Sequence, residues 1–137
     1  ALDEGLEFPE PVKPKTIAKS IAIGNSADGF QVLRAVRSTG GAGAAVSEDD
    51  IIGGIQLLAE TEGIFTEPAG GVTVAATRQL TERGAIPRDE SIVICITGNG
   101  FKTADVLEGK GAPAIHIGRS MAEFEQHVMD AARDGVV

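Results

Sequence analysis

A chain of 137 residues is one ordinary domain's worth of polypeptide, long enough to bury a real core. Its 20 acidic against 12 basic side chains leave a formal charge of −8, which repels phosphate backbones and anionic membrane surfaces and argues against nucleic acid and membrane as partners. No apolar run is long enough to span a bilayer, the first residues lack the basic-then-apolar order of a signal peptide, and the single cysteine, Cys95, reads as a small buried hydrophobe; the expectation is a cytoplasmic protein.

Residues 1–15 are rich in proline and charge, show no sustained period, and read as an irregular lead-in to a single folded region over residues 16–137. Ser26 is placed to cap a first helix whose apolar face is Phe30, Leu33 and Val36 and which Gly40 and Gly41 close. Ser47 in "SEDD" caps the next, its acids suiting the positive end of the helix dipole, with Ile51, Ile55 and Leu58 as the buried stripe. Pro68 fits the first turn of a third helix with Val72, Ala75, Ala76 and Leu80 along its body, and its many small residues predict close packing.

The run "IVICI" over residues 92–96 is too short for a typical helix and too uniformly apolar for a half-exposed strand, so it is predicted to be a central parallel strand. "APAIHIG", residues 112–118, is predicted as a second, shorter strand. A last helix opens with Ser120 and Glu123 as a capping box and carries Met121, Phe124 and Val128 as its apolar stripe. Helices alternating with short apolar strands predict an α/β fold with a parallel-sheet core flanked by helices.

In such folds ligands bind beyond the carboxyl ends of the strands, where residues 92–96 deliver Thr97 and "GNG". Thr97 offers a hydroxyl on a rigid strand end, and Gly98 and Gly100 let a flat ligand approach the backbone; a plain strand-to-helix turn accounts for the spacing equally well. Glu67 in "TEPAGG" either lines a cavity or caps the third helix, and capping suits the isolated motif better. "IGNSADG" is another loop of small and amide residues, and three such loops together carry more meaning than one. His116 and His127 have no Cys or acidic partner at ligand spacing, and Glu48, Asp49 and Asp50 lack the alternation and glycine of a calcium loop, so no metal site is expected.

"KPKTIAKSIAIGNSADGF", "AETEGIFTEPAGGVTVAA" and "CITGNGFKT", in this order and spacing, resemble the C-terminal part of the threonine synthase family, fold-type II pyridoxal-phosphate enzymes of the tryptophan-synthase-β-like group, from about Pro11 onward. The resemblance implies that residues 16–137 are part of the large catalytic domain of an enzyme that converts O-phosphohomoserine and water to threonine and phosphate, with pyridoxal phosphate as cofactor. It implies that Thr97 faces the cofactor's pyridine nitrogen, that Gly98 and Asn99 line that edge of the ring, that Ser20 lies where the backbone approaches one cofactor face, and that Glu67 stands in the cavity wall.

The family's cofactor-linking lysine and phosphate-binding loop belong to N-terminal motifs that this sequence does not show, and Lys19 and Lys102 lie outside such a motif. The resemblance therefore implies a chain inactive alone, with no catalytic residue of its own and partnered by a missing N-terminal half; the apolar run 92–96, left without that half's cover, is expected to drive self-association into a homo-oligomer. Ser26 stands where the family usually has Pro. A serine or threonine dehydratase of the same cofactor group generally shows "TIADG" where this chain reads "TIAKSIAIGN", which favours the synthase. A non-catalytic interaction domain descended from the fold is the alternative from a different class.

Overall fold

The computed structural model describes residues 1–110 and 117–133 of the chain, which divide into two units, Ala1–Val106 and Leu107–Val137. The centre of the first unit is a helix pair. Helix α2, Glu48–Glu62, starts at Ser47, whose hydroxyl accepts the Asp50 N–H while the Asp50 carboxylate accepts the Ser47 N–H, so two backbone donors are satisfied reciprocally. It ends at Gly63, which takes the left-handed conformation. Helix α3, Pro68–Glu82, begins with Pro68 in its first turn, where a missing N–H costs nothing.

The two helices cross where both are bare. A Cβ on Gly54 would run into the Gly71 carbonyl oxygen, and one on Gly71 would stand 2.5 Å from the Ile51 carbonyl oxygen and 2.8 Å from Ile55 Cγ1. The predicted close packing is there, and its cause is this pair of glycines. Around the crossing Ile51, Ile55, Val74 and Ala75 are buried, while Leu58 is half-buried.

Helix α1, Gly29–Thr39, buries Leu33, half-buries Val36 and leaves Phe30 exposed. Gly40 closes it in the left-handed conformation, and the Gly41 N–H donates to the Val36 carbonyl at 2.8 Å, as the double glycine predicts. The expected Ser26 cap is not made: the residue at the cap is Asp28, without a side-chain bond, and Ser26 contributes its carbonyl to the Gly29 N–H at 3.2 Å.

Residues 1–15 hold turns and bends and are tied to the segment around Gly24 and to α1. The Val12 N–H donates to the Gly24 carbonyl at 2.8 Å, Arg37 donates to the Leu6 carbonyl at 2.7 Å, and the Phe8 and Phe30 rings meet at 5.7 Å. A single 3-10 turn over Lys19–Ile21 then rests against α3.

The predicted parallel sheet is not seen. Among the described residues there is no strand, and the one pairing is an isolated antiparallel bridge between Thr66 and Asn99. Residues 92–96, expected to be a buried central strand, make no backbone hydrogen bond with another described residue. Val93 is 89% exposed, Ile92 and Ile94 are 45% and 41% exposed, and Cys95, expected to be buried, is exposed as well. The reason is that apolarity makes a strand only where neighbouring strands take its N–H and C=O groups, and no described residue does so. The second predicted strand lies outside the described residues except for Ile117 and Gly118, and His116 lies outside them too.

A 3-10 stretch over Gly100–Leu107 comes next, kinked at Thr103, whose hydroxyl is buried without a hydrogen-bond partner among the described residues. In the second unit, α4 spans Met121–Arg133. Its Ser120 hydroxyl accepts the Glu123 N–H at 3.4 Å, as predicted, but the Glu123 carboxylate accepts the Gly118 N–H at 2.6 Å, so the reciprocal half of the box reaches further back along the chain. Met121, Phe124 and Val128, the predicted apolar stripe, are exposed.

Candidate functional site

Three segments far apart in sequence meet at the start of α3. The bridge between Thr66 and Asn99 lays residues 65–67 against residues 98–100: the Glu67 N–H donates to the Gly98 carbonyl at 3.1 Å and the Gly100 N–H to the Phe65 carbonyl at 3.1 Å. Thr66, 1% exposed, adds its hydroxyl to the same Gly98 carbonyl at 3.0 Å. Gly70 makes room for that hydroxyl, since a Cβ there would collide with it. On the other side of the junction the Phe65 and Phe101 rings pack edge to face at 5.2 Å, and Gly100 lies so close to Phe65 that a Cβ would stand 2.7 Å from the ring.

Glu67 does not cap α3. It occupies the cap position, but its side chain makes no bond to the helix N–H groups. The carboxylate turns instead toward the Lys19–Ile21 turn and the loop: it accepts the Ser20 hydroxyl at 3.4 Å and lies 3.8 Å from the Lys102 ammonium. Glu67 is 9% exposed overall, so a buried carboxylate carries one hydroxyl and one largely exposed cation as partners. A buried charge needs such partners, which explains why the helix loses this cap to the cluster.

The structure thus brings Ser20, Glu67, Gly98 and Asn99 into one cluster, with Thr97 next to it in the chain. Gly98 is also kept small by its neighbours within the chain. A Cβ on it would fall on the Glu67 carboxyl group, so the space above Gly98 is filled by a side chain of the protein itself. Asn99 uses its side-chain oxygen to accept the Phe101 N–H at 2.9 Å, which rounds the turn. Thr97 is exposed, and its hydroxyl bonds to no described residue.

Sequence reasoning missed Thr66, which sits in the same "FTEP" as Glu67; its signal was a hydroxyl two residues before a helix-starting Pro and four before a glycine. A cleft of about 480 Å³ lined by Glu7, Phe30, Arg34, Arg37 and Ser38 shares no residue with the cluster. Among the described residues, no three His, Cys, Asp or Glu side chains gather as a metal site would require, and no helix is long and apolar enough to cross a membrane.

Residues 1–98 match the family described as "Pyridoxal-phosphate dependent enzyme", a span that takes in Ser20, Glu67, Thr97 and Gly98 and stops before Asn99. The chain belongs to that family. The match begins at residue 1, so it includes the lead-in. Among curated proteins the chain is 45% identical over 92 residues to a threonine synthase of Methanocaldococcus jannaschii, covering 67% of this chain and 23% of that protein. It is 37% identical over 117 residues to a threonine synthase of a Bacillus species, covering 85% and 33%, and 35% identical over 97 residues to one of Mycobacterium bovis, covering 70% and 27%. The chain therefore spans between 23% and 33% of the length of these relatives. Pyridoxal phosphate is the cofactor of the family.

The residues of the cluster suit one edge of such a cofactor. A pyridine nitrogen is an acceptor in a flat ring and asks for a donor without a bulky neighbour. Thr97 supplies an exposed hydroxyl with no described partner, followed by Gly98, and Asn99 retains its amide N–H groups because the turn uses only its oxygen.

Proposed function

We propose that the chain is the C-terminal part of a threonine synthase, which converts O-phosphohomoserine and water to threonine and phosphate, and that it contributes the pyridine-nitrogen side of the cofactor site. The observation that carries this reading is the meeting of Ser20, Glu67 and Gly98, from three separate motifs, within one set of hydrogen bonds. Pyridoxal phosphate, when bound, supplies the electron sink for chemistry at the substrate's carbons.

In this reading Thr97 holds the ring nitrogen through its hydroxyl. A hydroxyl leaves that nitrogen largely unprotonated, whereas a carboxylate would keep a proton on it and deepen the sink. Gly98 and Asn99 border the ring edge, and Ser20 and Glu67 form the wall beside it. The cofactor-linking lysine and the phosphate loop come from the length that the relatives have in addition, so this chain alone forms no specific covalent link with the cofactor. In the longer enzyme, residues 92–96 are paired on both edges as a parallel strand, and the assembled enzyme is a cytoplasmic homo-oligomer.

The test is made on the longer enzyme with Thr97→Asp. We expect threonine formation from O-phosphohomoserine to fall and side products to rise, with a changed cofactor absorption spectrum. Wild-type spectra together with a wild-type product ratio would show that Thr97 does not face the ring nitrogen. On this chain alone, borohydride trapping after a cofactor titration should label lysines without preference; stoichiometric labelling of one lysine would overturn the reading that the linking lysine lies outside this chain.

A further inference from the structure

The geometry points to Thr66 as a positioning residue for Thr97, an inference that rests on the role given to Thr97 above. Thr66 touches no ligand in this reading; it acts through the loop. Its hydroxyl and the Glu67 N–H both donate to the Gly98 carbonyl, at 3.0 and 3.1 Å, so that both lone pairs of one carbonyl are taken one residue after Thr97. At its Cα, Gly98 faces the Glu67 carboxyl group, which occupies the place a Cβ would take. Asn99 and Gly100 are fixed in turn by the bridge to Thr66 and by the Gly100 bond to Phe65.

Gly98 is therefore held at its carbonyl and hemmed in at its Cα, while Thr97 is exposed and free of described partners. A glycine left to itself samples both signs of φ and would let the preceding hydroxyl swing. The grip removes that freedom. Thr66 can supply it because it is 1% exposed and seated against Gly70, whose missing side chain lets the hydroxyl in and whose N–H bonds the Glu67 carbonyl at 2.9 Å. Helix α3 thus transmits its rigidity through Thr66 to the loop, and the hydroxyl of Thr97 is presented in one direction.

The test uses Thr66→Val, which keeps the shape and loses the hydroxyl, and Thr66→Ser, which keeps the hydroxyl. In this chain without cofactor, amide hydrogen exchange is read at Glu67 and Gly100, the donors that flank the grip, and at residues inside α2 and α3. Thr66→Val should speed exchange at Glu67 and Gly100 by about five- to tenfold relative to the helix amides, the loss of one buried hydrogen bond. Thr66→Ser should restore most of the protection. Equal acceleration throughout α2 and α3 would mean that the hydroxyl serves overall stability, and the inference fails.

In the longer enzyme, the absorption spectrum of the bound cofactor is compared for Thr66→Val, Thr66→Ser and Thr97→Val. Thr66→Val should move the spectrum in the same direction as Thr97→Val, with Thr66→Ser near wild type. If Thr97→Val moves it and Thr66→Val does not, Thr66 does not position Thr97. If Thr97→Val itself leaves the spectrum unchanged, the ring-nitrogen role of Thr97 is what has failed, and the inference falls with it.

Discussion

Gly53 and Gly54 stand side by side in α2, and the structure gives alanine opposite effects at the two. At Gly53 a Cβ would meet nothing within 4 Å. Alanine there reduces the backbone entropy lost on folding and should stabilise the helix by about 1 kcal/mol. At Gly54 the same substitution brings the same propensity gain, but the Cβ points at the Gly71 carbonyl oxygen, with the Gly71 carbonyl carbon at 3.2 Å and the Ala75 N at 3.3 Å. These are backbone atoms of another helix and cannot rotate away. To restore ordinary contact α2 and α3 must part by on the order of 1 Å, and a gap of that size forfeits about a quarter to a half of each dispersion well along the seam. That seam holds Ile51, Ile55, Val74 and Ala75, which are most of the buried apolar residues in the first unit. Over-packing of this kind costs about 1–3 kcal/mol, and against backbone the upper end applies. The net expectation is a loss of about 2 kcal/mol for Gly54→Ala, so the two variants differ by about 3 kcal/mol. Urea unfolding followed by far-ultraviolet circular dichroism should separate their midpoints by about 2 M, one on each side of wild type, with similar slopes. A Gly54→Ala midpoint at or above that of Gly53→Ala would refute the glycine crossing.

Three further expectations rest on single sites. The Ser47 hydroxyl and N–H, helped by the Arg78 charge and opposed by partial desolvation, hold the Asp50 carboxyl below its ordinary value of 3.8. Because the folded value is the lower one, the stabilisation is present above about pH 4 and is lost as pH falls through the folded value; the thermal-stability gap between wild type and Asp50→Asn should therefore be open near neutrality and close in acid. Gly98→Ala should push the flexible end of Glu67 aside rather than move backbone, costing about 1 kcal/mol while shifting the nuclear magnetic resonances of Ser20 and Lys102; unmoved Ser20 resonances would sink the stacking of Glu67 on Gly98. Thr103→Val replaces a buried hydroxyl without a described partner by a methyl of the same shape and should be neutral or raise the melting temperature; a clear drop would reveal a partner for that hydroxyl.

The parts of the fold legible in the sequence were those written locally. The Ser47 cap, the glycine closure at Gly40 and the Pro68 start depend on residues within one turn of the helix end, so short motifs announce them. Glu67 shows where local reading stops. As an isolated motif it is a cap, but Ser20, 47 residues away, and Lys102 draw its carboxylate off the helix, and no local pattern carries that competition. Ser26 failed for a smaller reason: a carbonyl bond to Gly29 starts the helix two residues later than its hydroxyl would. The site residues are legible only through a resemblance of three motifs taken together, and the structure adds the element that periodicity cannot find, a buried threonine whose partner is a carbonyl 32 residues downstream.

Residues 92–96 carry the last expectation, because their sequence and their surroundings disagree. Five apolar residues in succession demand cover on both faces and pairing on both edges, yet Val93 is 89% exposed and no described backbone group pairs with the run. Leaving even a few hundred Å² of such surface in water costs several kcal/mol at about 25 cal/mol per Å², comparable with the whole stability of a small domain. Two occupants can remove that cost: the additional length found in the relatives, or a second copy of this chain. Cys95 lies within the run and is exposed, so its thiol reports which of them is present. In the isolated chain at low micromolar concentration a thiol reagent should label Cys95 at the rate of a free cysteine. As concentration rises, light scattering should show association while labelling slows in step, because pairing of the run buries the thiol. In the longer enzyme, where the run would be a central strand, labelling should require unfolding and be slower by at least about a hundredfold. A chain that stays monomeric across the dilution series, together with Cys95 equally reactive in the longer enzyme, would show that residues 92–96 are not a sheet strand in either setting.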